Sequence, residues 1–202
     1  MLTIALPKGR IADETLDRFE KAFGEKFVFE DRKLILEKSG FKFLNVRNQD
    51  VPTYVMHGAA DLGVVGLDVL EEKEYDLIKL LDLKLGRCKV AFGLRAGEEL
   101  DFNKSKITIA TKHEVIAKKF FEQKAMAVEI IKLYGSIELA PLVGLCDCIV
   151  DIVETGETMK QNGLEIGPTI MESSAHLIAN KNSFYAKKDL ILDLKERIEA
   201  HI

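Results

Sequence analysis

The run Cys148-Ile149-Val150-Asp151-Ile152-Val153 passes through Glu154-Thr155-Gly156-Glu157-Thr158 into helix formers as far as Gln161. A mostly apolar, β-branched strand that leaves through a glycine-containing turn into a helix is the repeating unit of an open α/β sheet, and few other folds accommodate it. Asn162-Gly163 stops the helix. The turn aims backbone N–H groups and two hydroxyls at one point, at the positive end of a helix dipole, which suits a phosphate monoester. Gly156 is free to take positive φ and lets the backbone approach a ligand. Asp151 and Glu154 flank this cup, where carboxylates can hold ribose hydroxyls or a hydrated Mg²⁺. The plainer reading is a capped connection with Thr155 or Thr158 as N-cap. The acids beside the turn favour the ligand.

The rest of the chain repeats the theme. Residues 2–6 predict a short buried strand, Pro7-Lys8-Gly9-Arg10 turns out of it, and residues 11–23 follow as a helix. Lys8 and Arg10 thus stand where a strand's carboxyl end meets a helix, a favoured anion position in such sheets. Residues 27–29, 33–37 and 41–46 predict strands, with Arg32 in the first turn and Arg47 at the end of the third. Asp50-Val51-Pro52-Thr53 opens a helix that stops at Gly58, with Asp50 as its cap. Residues 60–68 predict a strand whose Gly63 and Gly66 signal close approach to a ligand or a packed helix, with Asp68 at its end. Strands follow at 77–83 and 89–94, then at 106–110 and 128–133, with helices at 113–123 and 136–143. Thr111-Lys112-His113 mirrors Pro7-Lys8-Gly9 as a polar turn at a strand end, and Glu138 in the short helix is placed to meet a sugar. Residues 167–170 and 175–179 predict strands, and 185–202 one closing amphipathic helix.

Composition narrows the function. Net charge is −4 with 31% charged residues, which disfavours nucleic acid as a partner. Cys88, Cys146 and Cys148 fit no disulfide framework and lack the second pair of a metal site, and the four histidines are scattered. The apolar start is too short for a signal peptide, and no run is long enough to span a membrane. A cytoplasmic protein is expected. The alternation predicts α/β architecture with one lobe inserted into another: residues 1–87 plus 173–202 form the first lobe, and residues 88–172 the second. A ligand is expected in the cleft between them.

Several stretches together resemble one family. They are Leu6-Pro7-Lys8-Gly9-Arg10, Asp50-Val51-Pro52-Thr53-Tyr54-Val55, Gly58-Ala59-Ala60-Asp61-Leu62-Gly63-Val64-Val65-Gly66-Leu67-Asp68, Gly135-Ser136-Ile137-Glu138-Leu139-Ala140-Pro141, and Asp151 through Thr158. In order and register they are similar to ATP phosphoribosyltransferase, the first enzyme of histidine biosynthesis. The chain departs from the family's usual Cys-Arg at Cys88-Lys89. It also has Val150 before Asp151, where other phosphoribosyltransferases often place two adjacent acids.

The resemblance implies two lobes of the periplasmic-binding-protein type II architecture, and transfer of the phosphoribosyl group from phosphoribosyl pyrophosphate to N1 of ATP. It implies that Asp151, Glu154, Thr155, Gly156, Glu157 and Thr158 bind phosphoribosyl pyrophosphate, and that Lys8, Arg10, Arg32 and Glu154 act in catalysis. Arg47, Asp68 and Glu138 are assigned to the ATP/substrate cleft. Mg²⁺ is the expected cofactor, held mainly by substrate and water. The length resembles the short form, which pairs with a synthetase-like regulatory subunit. A hetero-octamer containing catalytic dimers is expected, with histidine sensed by the partner chain. Two other readings stay open on the residues. One is a non-catalytic small-molecule binder of the same architecture, which incubation with phosphoribosyl pyrophosphate and ATP distinguishes. The other is a phosphoribosyltransferase for another base, which a panel of acceptors distinguishes.

Overall fold

A computed structural model describes all residues, 1–202. The chain divides into two compact units, one of Met1–Gly86 with Ser174–Ile202 and one of Arg87–Ser173. The first unit opens with strand β1 (Leu2–Pro7) and helix α1 (Arg10–Phe23). Strands β2 (Ile35–Lys38) and β3 (Phe41–Val46) follow, then a 3₁₀ turn (Asn48–Asp50) and helix α2 (Val51–Met56). Strand β4 (Leu62–Gly66), helix α3 (Leu67–Lys73) and strand β5 (Ile78–Asp82) complete the first pass.

The second unit contains β6 (Cys88–Arg95), β7 (Ile107–Thr111), α4 (Glu114–Gln123), β8 (Val128–Lys132) and α5 (Leu139–Leu142). It ends with β9 (Cys148–Val153), α6 (Glu157–Gln161) and β10 (Leu164–Ser173). The chain then returns to the first unit as β11 (Ala175–Ala179), α7 (Lys181–Ala186) and α8 (Lys188–Glu199).

The first unit's sheet runs in the order β2-β3-β1-β4-β11-β5. β1 is parallel to β3 and β4, while β11 is antiparallel to β4 and β5. α1 buries Ala12, Thr15, Leu16 and Phe19, the i, i+3, i+4, i+7 face of an amphipathic helix. Phe19 meets Phe27, Phe41 and Phe43 edge-on at centroid distances of 5.0–6.0 Å. Burying each such ring contributes about 1.5–3 kcal/mol relative to exposure, an upper estimate for a compact unfolded chain. Ile191, Leu194 and Ile198 of α8 join the same core. On the other face, Val51 and Val55 of α2 pack on the sheet. A β-carbon at Gly63 would stand 2.7 Å from Val55 Cγ2, so this glycine admits a packed helix.

The second sheet runs β10-β6-β9-β7-β8, with β9 in the middle. β9 is antiparallel to β6 and parallel to β7. Cys148, Val150 and Ile152 face one core, and Ile149 and Val153 face the other beside α5 and α6.

Several boundaries differ from the sequence expectations. Residues 27–29 form no strand, because β3 already has β1 on one side and β2 on the other. Phe27 is nonetheless buried in the aromatic cluster. The expected strand at 60–68 ends at Gly66, and Asp68 stands in the first turn of α3. Asp50 occupies the α2 N-cap position without a side-chain capping bond. The expected helix at 136–143 contracts to α5, with Glu138 at its N-cap position. The expected strand at 167–170 extends to Leu164–Ser173, and its register shifts around Pro168, which an edge strand tolerates. The closing helix is two helices broken at Lys187. Asn180 caps the first by accepting from the Ser183 N–H at 3.0 Å.

Candidate active site

The middle position of β9 explains how its acid and turn are held. β7 pairs in parallel with β9 as far as Thr111 against Val150, and one residue further along β9 stands Asp151. β7 has by then turned away towards α4. The Thr111 hydroxyl locks that departure by donating to the Val150 carbonyl at 2.6 Å and accepting from the His113 N–H at 2.8 Å. Lys112 is thereby set beside Asp151, with Nζ 3.1 Å from Oδ1. His113 is buried, with Nε2 3.7 Å from the same oxygen. The Ile152 N–H donates to Asp151 Oδ1 at 2.8 Å.

β9 then delivers Glu154, Thr155 and Gly156 into the turn. Gly156 has φ +82°, the left-handed region that favours glycine. A β-carbon there would also collide with Ile166 Cδ1 of β10. The Thr155 hydroxyl accepts from the Glu157 N–H at 3.3 Å. The first-turn N–H groups of Thr158 and Met159 have no acceptor in the helical ladder. α6 is only five residues long, so its dipole is small and those N–H groups carry most of any attraction for an anion.

Asp151, Glu154, Thr155, Gly156 and Thr158 line one pocket of about 400 Å³ with Lys112 and Glu138. Glu138 arrives from the start of α5, which is tied to β6 because Arg95 Nη1 donates to the Pro141 carbonyl at 3.1 Å. Glu157 is the one residue expected in the turn whose side chain does not line the pocket. It accepts from Gln161 Nε2 at 3.0 Å along α6.

The other expected residues belong to the first unit. Lys8 and Arg10 stand at the carboxyl end of β1, where the Lys8 N–H donates to the Val46 carbonyl at 2.8 Å. Arg10 opens α1, with Nε 3.6 Å from Glu14 Oε1. Arg32 is exposed in a turn with φ 54°. Arg47 is exposed before the 3₁₀ turn. Asp68 is buried, and a β-carbon at Gly66 would collide with its Oδ1. In the sequence Lys112 and His113 present only a polar turn. The signal available was their place at a strand end, and what it lacked was the identity of the neighbouring strand.

Fold and pocket define the class: an α/β protein of the periplasmic-binding-protein type II fold whose second unit carries an acid-flanked strand–turn–helix pocket suited to a phosphorylated sugar. The fold assignment agrees with a substrate-binding protein of an amino-acid ABC transporter, 14% identical, at a TM-score of 0.59 over 98% of this chain and 91% of that one. The family model described as ATP phosphoribosyltransferase matches residues 47–200. An ATP phosphoribosyltransferase of Wolinella succinogenes is 71% identical across 98% of this chain and 96% of that protein. One of Campylobacter curvus is 65% identical across 100% and 98%. The solved ATP phosphoribosyltransferase (HisG:HisZ) complex from Thermotoga maritima includes a chain 36% identical to this one, with a TM-score of 0.83 over 99% of this chain and 98% of that one. The chain belongs to the ATP phosphoribosyltransferase family.

Proposed function

We propose that this chain transfers the phosphoribosyl group of phosphoribosyl pyrophosphate to N1 of ATP, the first step of histidine biosynthesis. One observation carries the site assignment. In a chain of this family, Asp151, Glu154, Thr155, Gly156 and Thr158 converge on a single pocket. Thr155, Gly156, Thr158 and the N–H groups of Thr158 and Met159 hold the 5′-phosphate. Asp151 and Glu154 bind ribose hydroxyls and favour positive charge on the sugar.

The N1 lone pair forms the new bond to the anomeric carbon as that carbon's bond to pyrophosphate oxygen breaks with its electron pair. The adenine then sheds a proton from its exocyclic amine to water. N1 is already nucleophilic, so the demands on the protein are orientation and charge. Lys8, Arg10 and Arg32 are assigned to the departing pyrophosphate, where guanidinium forks suit phosphate oxygens. Arg47, Asp68 and Glu138 are assigned to the ATP/substrate cleft, with Glu138 on the Asp151–Thr158 pocket. The separation of Arg10 and Arg32 along the chain motivates a site completed across a dimer of catalytic chains.

No three His, Cys, Asp or Glu side chains gather as a metal cage. Asp151 and Glu154 nevertheless both line the pocket, and two acids there fit Mg²⁺ retaining water and substrate oxygens as its main ligands. When bound, Mg²⁺ neutralises pyrophosphate charge.

The Thermotoga complex, in which the similar chain stands beside a second subunit, supports a hetero-oligomer with a regulatory partner. Hetero-octameric stoichiometry and a cytoplasmic setting belong to the same reading. No helix is long and apolar enough to cross a membrane. The test is to incubate the chain, alone and with the partner, with phosphoribosyl pyrophosphate, Mg²⁺ and a panel of ATP, free purines and pyridines. Phosphoribosyl-ATP and pyrophosphate are expected in equal amounts from ATP. Transfer to another base with none to ATP would overturn the reading.

A further inference from the structure

The pocket on β9 has an unbalanced lining. It presents three carboxylates, Glu138, Asp151 and Glu154, and one cation, Lys112. A sugar phosphate entering such a lining brings further negative charge, so a cation on the pocket rim strengthens its binding beyond what N–H groups and Mg²⁺ supply. In this unit the pocket's own source of that charge is Lys112.

Its surroundings let it move. The Lys112 side chain is 42% exposed, and its carboxylate partner only 14%. Asp151 has a second hold besides the lysine. The Ile152 N–H donates to its Oδ1 at 2.8 Å. The ammonium is therefore the more exposed partner of a carboxylate that keeps a backbone hydrogen bond when the lysine leaves. Its backbone is held as well, because Thr111 bonds to both Val150 and His113 on either side of it. A fixed Cα with a flexible four-carbon stem sweeps a small volume around the pocket rim.

We propose that Lys112 is a substrate-binding residue of this pocket: its ammonium, paired here with Asp151, passes to a phosphate oxygen of phosphoribosyl pyrophosphate as the ribose hydroxyls take over the carboxylate. The inference rests on the reading of residues 151–158 as the phosphoribosyl site and extends it to the β7–α4 turn. Exchange of one partner for another keeps both groups hydrogen-bonded before and after binding, with the ammonium's charge transferred from the carboxylate to the phosphate. It also disfavours unphosphorylated ribose, which can engage Asp151 but offers the released ammonium no acceptor.

The test is calorimetric titration of the full chain with phosphoribosyl pyrophosphate. Lys112→Met is expected to weaken binding about tenfold or more, the loss of one charge-assisted hydrogen bond. Lys112→Arg is expected to retain affinity within about threefold. The decisive comparison is in the Asp151→Asn background. A lysine that contacts the ligand still matters there, so Asp151→Asn with Lys112→Met should bind more weakly than Asp151→Asn alone. A lysine that merely positions the carboxylate has no further effect, and that result overturns the proposal, as does wild-type affinity in Lys112→Met. Melting curves on each variant exclude unfolding. Thr155→Ala run in parallel separates the two levels. If Thr155→Ala binds normally, the loop assignment fails. If it binds weakly while Lys112→Met binds normally, only the lysine assignment fails.

Discussion

Lys187 Nζ lies 2.8 Å from both carboxylate oxygens of Asp61, although 126 residues separate them. The Thr3 N–H donates to the same carboxylate at 2.9 Å. One nearly buried acid thus joins the break between α7 and α8 to the start of β1. Burial pushes the Asp61 pKa up, but the bonds from Lys187 and Thr3 outweigh it and hold the pKa below its ordinary value. A depressed carboxylate contributes stability above its unfolded pKa and loses it as pH falls through the folded one. Lys187→Ala is expected to destabilise the chain by about 1–3 kcal/mol at neutral pH. The gap from wild type should close in urea melts run at progressively acidic pH. A gap that stays constant would remove the ion pair as its cause.

Gly156 supplies a sharper test of the loop than any polar residue. Valine there must adopt φ +82° and displace Ile166. Gly156→Val is expected to reduce phosphoribosyl pyrophosphate affinity by about 100-fold or more, because strain of about 1–3 kcal/mol adds to a blocked approach. Thr155→Ala, which loses the hydroxyl that accepts from Glu157, is expected to cost about tenfold. Titration of both variants gives the ratio.

Arg10→Ala and Arg32→Ala should act on the chemistry. Charge on pyrophosphate grows as its bond breaks, so these cations are worth more in the transition state than in the ground state. A fall in the single-turnover rate of about 100-fold is expected, with ATP affinity changed by less than about threefold. Unchanged chemistry with a raised KM would reduce both arginines to ground-state binding.

The cysteines should separate by reactivity. Burial pushes the Cys148 thiol up to about 12, with the Cys146 and Asp147 charges acting in the same direction. Burial also raises Cys146, and Cys88 is half-buried. A native chain at neutral pH is expected to react with iodoacetamide at Cys88 first, while Cys146 and Cys148 wait for unfolding. Peptide mass analysis over time reads the order.

β9 and α6 could be read from residue type alone, because an apolar β-branched run and an Asn-Gly stop are contiguous signals. β9 and α6 have the boundaries that their apolar run and Asn162-Gly163 imply. Two of the misreadings involve partners remote in sequence. Phe27 and Phe29 alternate like a strand, but burial of Phe27 comes from Phe19, Phe41 and Phe43 rather than from pairing. The residue at the break, Lys187, is paired with Asp61, which no local pattern reveals, whereas the Asn180 cap was available in Asn-Lys-Asn-Ser. At the site, Asp151 through Thr158 were visible because they are contiguous. Lys112 was not, because its role depends on β7 lying beside β9.

β11 lies between β4 and β5, yet the whole second unit separates it from them in the chain. Order of synthesis and order of sheet assembly therefore conflict. When a ribosome has delivered Gly86, one side of β4 has no neighbour, and β5, which pairs only with β11, has none at all. The contiguous second unit has all its strands available sooner. The nascent protein must carry the apolar edge Leu62–Gly66 exposed throughout that interval, in the state most prone to aggregate. A premature stop just before Ala175 would do damage out of proportion to the mass it removes. Slowing translation between Ser173 and Ala179 would lengthen the vulnerable period.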